Sequence, residues 1–130
     1  IHHTKKFVSS MDGIQILSLS EINDLMADKK QIYMGRGVYS SVTMIKLNGE
    51  KLCVKTFHEH LLAQHGLSNL LQMSTDEAFI LLKLAGAGGA PRLRYICYDY
   101  PSFITTCVGQ TNVLDHLKVC YPKQCLITLV

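Results

Sequence analysis

Residues 35–55 read GRGVYSSVTMIKLNGEKLCVK, two glycines and then a hairpin pattern that ends on a lysine. Val42 to Leu47 is rich in β-branched residues and alternates in polarity, which predicts a strand. Asn48-Gly49 follows directly, the dipeptide that favours a two-residue hairpin turn. Lys51 to Phe57 then predicts the returning strand, with Lys55 among apolar neighbours. Gly35 and Gly37 sit just before the hairpin, after a first strand predicted over Lys30 to Met34. Glycines there allow a backbone to approach a phosphate closely and to aim N–H groups at its oxygens. A lysine on a mostly apolar strand needs a partner or solvent, because burying a lone charge costs several kcal/mol, roughly.

Working outward, Ser18 to Met26 predicts a short helix with Ser18 or Ser20 as its cap, and residues 1–15 read as polar and loose. Residues 58–73 predict one or two helical turns interrupted at Gly66. Ser74-Thr75-Asp76-Glu77 predicts the start of a stronger helix reaching Ala85, which three glycines and Pro91 terminate. Its stripe Phe79, Ile80, Leu82 and Leu84 reads as core. Strands are predicted over Leu93 to Tyr98 and Ser102 to Val108, and helices over 112–117 and 123–130. The expected architecture is α+β: a five-stranded antiparallel sheet with one main helix and short helices at both ends. The expected divisions are an extension over 1–29, a lobe over 30–108 and a linker with following helices over 109–130.

Other chemistries fit less well. GxG also occurs in dinucleotide-binding turns, but those need a helix directly after the glycines, and Ser41 to Ile45 favours a strand. His58, Glu59, His60 and His65 lack the spacing of a helical zinc motif, and Cys120 and Cys125 lack zinc-ribbon spacing. The net charge of +3 comes from scattered basic residues, so no nucleic-acid footprint is expected. Five cysteines with no CxxC pair predict reduced thiols and a cytoplasmic setting. No apolar run is long enough to span a bilayer. Neither end looks native: the start lacks a methionine and the end falls in an apolar run.

The ordered set Gly35, Gly37, Val42, Lys55 and Glu77 resembles the N-terminal, ATP-binding lobe of the eukaryotic protein kinase family, from about Ile32 to Val130. The resemblance implies a glycine loop, Gly35, Arg36, Gly37, Val38 and Ser40, over the phosphates of ATP, with Ser40 in place of a third glycine. Lys55 would bind the α- and β-phosphates, and Glu77 would hold Lys55. A capping box with Ser74 competes for Glu77, and Glu59 is a fallback partner for Lys55. Val42 and Cys53 would sandwich adenine, Thr105 would be the gatekeeper, and Thr106, Cys107 and Val108 would form the hinge. The complete protein would transfer the γ-phosphoryl of MgATP to a protein Ser, Thr or Tyr hydroxyl. The 130 residues contain neither His-Arg-Asp nor Asp-Phe-Gly, so the general base and magnesium ligands of that family are not among them. The chain alone is therefore expected to be inactive and, with half the cleft missing, to bind ATP weakly or undetectably. The alternative is a truncated or pseudokinase module that docks on a partner such as a true kinase.

Overall fold

The computed structural model describes residues 13–108. The predicted helices over 112–117 and 123–130 lie outside the described residues. Six strands form one mixed sheet: β1 (Gln15–Leu17), β2 (Ile32–Arg36), β3 (Ser40–Leu47), β4 (Glu50–Phe57), β5 (Leu93–Cys97) and β6 (Ser102–Thr106). Three helices accompany them: α1 (Leu19–Ala27), α2 (Leu61–His65) and α3 (Leu67–Leu84). The sheet order is β1-β5-β6-β4-β3-β2. Every neighbouring pair is antiparallel except β1 and β5.

The expected α+β class holds, but the sheet is not a five-stranded antiparallel one. The sixth strand comes from Gln15-Ile16-Leu17, at the end of the stretch read as loose. It pairs in parallel with Tyr95-Ile96-Cys97. Three residues are too few to show a period of two, and parallel pairing joins segments far apart in the chain.

The central hairpin follows the chemistry of its turn. Asn48 and Gly49 take φ values of 51° and 83°, the left-handed pair that matches the twist of the flanking strands. The register then sets Val42 opposite Lys55, Thr43 opposite Val54 and Met44 opposite Cys53. β6 packs along the other edge of β4, with Phe103 opposite Lys55 and Thr105 opposite Cys53.

Of the two serines that could cap α1, the structure uses Ser18. The Glu21 N–H donates to Ser18 Oγ and the Ser18 N–H donates to Glu21 Oε1, a reciprocal capping box. Its buried Ile22 joins Ile45, Leu52, Val54, Cys97 and Ile104 on one face of the sheet. Gly66 separates α2 from α3, as expected. Helix α3 starts at Leu67, however, not at Ser74, so Ser74 lies mid-helix and no capping box forms there. Its buried stripe is Leu70, Ser74, Glu77, Ala78 and Leu81, while Ile80 is exposed. Phe79 and Leu82 are only partly buried at the core's margin. Ala78 and Leu81 pack on Leu93, Ile96 and Phe103, on the sheet face opposite α1. A third cluster, Phe57, Leu61 and Leu70, ties α2 and α3 to the end of β4. Among the described residues, no helix is long and apolar enough to cross a membrane.

Candidate functional site

The candidate site is the sheet face that α3 covers. Strand alternation puts Ser40, Val42, Met44, Cys53, Lys55, Phe103 and Thr105 on that one face, because residues paired across strands point the same way. The helix adds Glu77, whose carboxylate forms an ion pair with the Lys55 ammonium. Both side chains are less than one-tenth exposed. Lys55 also lies 5.9 Å from the centroid of the Phe103 ring, within range of a cation–π attraction.

Sequence proximity cannot make this pair. Lys55 and Glu77 are 22 residues apart, and the helix between them must run back along the sheet to bring them together. Of the two partners weighed for Glu77, the structure selects Lys55 over the Ser74 cap. Glu59, the fallback, is exposed.

Burial shapes the electrostatics of the pair. Removal from water pushes the Glu77 carboxyl above the usual carboxylate range, and the Lys55 ammonium pulls the other way. Burial has the larger effect, so a proton on Glu77 is less costly here than on a surface glutamate. Ser74, one helical turn before Glu77, has a buried hydroxyl without a hydrogen-bond partner. Such a group costs roughly 1–3 kcal/mol in lost hydration.

The glycine stretch ends β2, where Gly35 pairs with Val42, and continues through Gly37 into the β2–β3 turn. Neither Gly35 nor Gly37 takes a positive φ. The Gly37 N–H donates to Ser40 O at 2.7 Å, which closes the turn. Val38 at the tip is 66% exposed and Arg36 is exposed, so the loop's outer surface faces solvent. His58, just past β4, holds this connection from behind. Its Nε2 lies 3.0 Å from Gly37 O, and its N–H donates to Tyr39 O at 2.8 Å. His58, which the sequence offers only as a candidate metal ligand, makes this tie instead. No signal in the sequence could have found it, since it depends on where two segments 21 residues apart meet. Among the described residues, no three His, Cys, Asp or Glu side chains come together to hold a metal ion.

The hinge candidates lie at the end of β6. Thr105 is buried, and its hydroxyl donates to Thr106 O. The Thr106 N–H donates to Arg92 O, and the Thr106 hydroxyl accepts from the Arg92 N–H. The Cys107 N–H donates to Lys51 O at 3.4 Å. Two of the three candidate hinge N–H groups thus already serve the protein. Val42, Cys53, Lys55 and Thr105 come together on the covered face, beside Glu77. Arg36 and Val38 do not join them.

No family model matches this chain, and no curated protein matches its sequence.

Proposed function

We propose that this chain is the ATP-binding lobe of a protein-kinase-like protein. The observation that carries the reading is the buried Lys55–Glu77 pair beside a glycine-containing hairpin. A buried lysine is costly unless its charge is used or matched. Matching it with one helix carboxylate fixes the ammonium on the strand next to the glycine connection, which is what holding a polyphosphate requires.

On this reading the residues divide the work. Lys55 presents a positive charge to the α- and β-phosphates. Glu77 sets where that charge sits. The Gly35–Ser40 connection covers the phosphates, and His58 holds the connection at Gly37 O. Val42 and Cys53, close together on the same face, supply the apolar surface for a base ring, with Thr105 next to Cys53. Magnesium would neutralise phosphate charge and orient the γ-phosphoryl group. The described residues offer no ligand cluster for it, so its ligands would come from outside them. In the complete protein the γ-phosphoryl group would pass to a protein hydroxyl.

The test is an acyl-phosphate derivative of ATP, which acylates a lysine lying beside bound phosphates. It is applied to the protein with and without competing ATP, and the modified lysine is mapped by peptide mass. Labelling at Lys55 that ATP suppresses is the expected result, and Lys55→Met should remove it. Labelling spread over surface lysines and indifferent to ATP would overturn the reading.

A further inference from the structure

We propose that Cys53 and Cys107 form a redox-sensitive pair, a modification site at which a peroxide joins β4 to the end of β6 through a disulfide. The register supplies the placement. Thr105 lies opposite Cys53, and Thr106 lies opposite Leu52. The backbone bond from Cys107 N–H to Lys51 O carries the pairing one residue further. Side chains alternate along a strand, so Cys107 shares the face of Thr105 and Cys53. The two cysteines are therefore diagonal neighbours on adjacent strands. Burial raises the Cys53 thiol above its usual range, and the neighbouring Cys107 thiol adds to the rise.

The two cysteines differ in access, and the difference assigns their roles. Cys53 is only 2% exposed, whereas Cys107 is partly exposed. Peroxide reaches Cys107 first. The Cys107 sulfur attacks one peroxide oxygen, the O–O bond breaks, and the second oxygen leaves as water once protonated. Cys107 becomes a sulfenic acid. The Cys53 sulfur then attacks the Cys107 sulfur and displaces hydroxide, which takes the Cys53 proton and leaves as a second water. Two electrons pass from the two thiols to one peroxide, and the protein loses two hydrogens.

Geometry sets one requirement. Diagonal neighbours in an antiparallel pair stand about 7–8 Å apart at Cα, beyond the usual disulfide span of roughly 4.4–6.8 Å. Cys107 must shift toward Cys53 to close the bridge. It is placed to do so, because β6 ends at Thr106 and the bond beyond it is a long one. Cys97 is the internal contrast. It is buried on the opposite face, its thiol donates to Asp99 Oδ1 at 3.2 Å, and burial pushes that thiol up to about 12. It has no route to either partner through the sheet.

The consequence for the site rests on the proposed nucleotide reading: a bridge between Cys53 and Cys107 would occupy the face assigned to the base ring. The experiment treats the reduced protein with hydrogen peroxide, blocks remaining thiols, and maps cross-linked peptides by mass. A loss of two hydrogens with a Cys53–Cys107 linked peptide, reversed by dithiothreitol and absent in Cys107→Ala, is the expected result. A bridge to Cys97, Cys120 or Cys125 instead, or Cys107 oxidised to the sulfinic acid with Cys53 still free, would overturn the inference. Repeating the oxidation with millimolar MgATP separates the two proposals. Bridge formation slowed several-fold by ATP supports both. A bridge that forms equally fast with ATP present upholds the cysteine pair and counts against the nucleotide reading.

Discussion

The two faces of the sheet are built from the same strands yet differ in what they bury. The face under α1 is closed by Ile22, Ile45, Leu52, Val54, Cys97 and Ile104. Its one fully buried hydroxyl, on Ser102, donates to Lys55 O and also meets Thr56 Oγ1. The face under α3 holds the other buried polar groups among the described residues: Ser40, Lys55, Ser74, Glu77 and Thr105. Both faces exclude water, so stability alone would favour apolar residues on both. Replacing a buried ion pair with apolar residues of similar volume is often neutral or stabilising. A chain that keeps Lys55 and Glu77 on one face accepts a cost there that it avoids on the other. The contrast separates a face closed by apolar side chains from a face that buries an ion pair.

The largest effect should come from breaking the pair on the helix side. Glu77→Leu removes the carboxylate that pairs with the buried Lys55 ammonium, and urea unfolding should show a loss of about 3–5 kcal/mol. A loss under about 1 kcal/mol would mean the pair is not buried as described. Lys55→Met should cost less, because the remaining carboxyl can take a proton. Its pH dependence has a definite sign. Glu77 already titrates above the ordinary 4.5, and without the ammonium it rises further. The stability of Lys55→Met is therefore full below about pH 4.5 and declines as pH rises through the raised value. Its deficit relative to the unmodified protein should narrow between pH 7 and pH 5 in paired denaturant titrations.

On the α1 face the expectation inverts. Ile104 is fully buried, and Ile104→Ala should cost about 2–5 kcal/mol through lost burial and the cavity left behind. Once correction is made for the unfolded fraction, its ATP-competed labelling at Lys55 should be unchanged. A selective loss of labelling would erase the distinction between the faces. His58→Ala should cost about 0.5–1.5 kcal/mol, one hydrogen bond to Gly37 O, yet weaken labelling at Lys55 more than stability alone explains. His58→Gln, which keeps a side-chain nitrogen within reach, should recover part of it. The smallest effect is a gain. Ser74→Ala removes a buried hydroxyl that lacks a partner, and a thermal melt should show an unchanged or slightly raised midpoint.

What could be read from the sequence was local. The β3–β4 hairpin was legible because Asn48-Gly49 supplies two left-handed residues between alternating segments. Helix α1 was legible because a serine able to cap a helix stands at its start, though which of Ser18 and Ser20 fills that place required the fold. Helical turns on both sides of Gly66 were legible, but the continuity of α3 from Leu67 through Ser74 was not, because its buried stripe runs through the polar Ser74 and Glu77 while the apolar Phe79, Ile80, Leu82 and Leu84 suggest another face. Strand β1 was lost for want of length. The candidate site was legible as a set, since Gly35, Gly37, Lys55 and Glu77 follow in order, but the ion pair required the fold. The contact of His58 with Gly37 O and the nearness of Cys107 to Cys53 depend on register, which no short-range pattern carries.

The central claim is that the α3 face, with Lys55 and Glu77 at its centre, receives the phosphates of a nucleotide. Amide chemical shifts of the ¹⁵N-labelled protein, followed through a MgATP titration into the millimolar range, test it most directly. The account predicts saturable shifts at Gly35, Gly37, Ser40, Val42, Cys53, Lys55 and Thr105, abolished by Lys55→Met, with Ile22, Ile45 and Leu52 undisturbed. Saturable shifts centred on the α1 face, or shifts that Lys55→Met leaves intact, would contradict it.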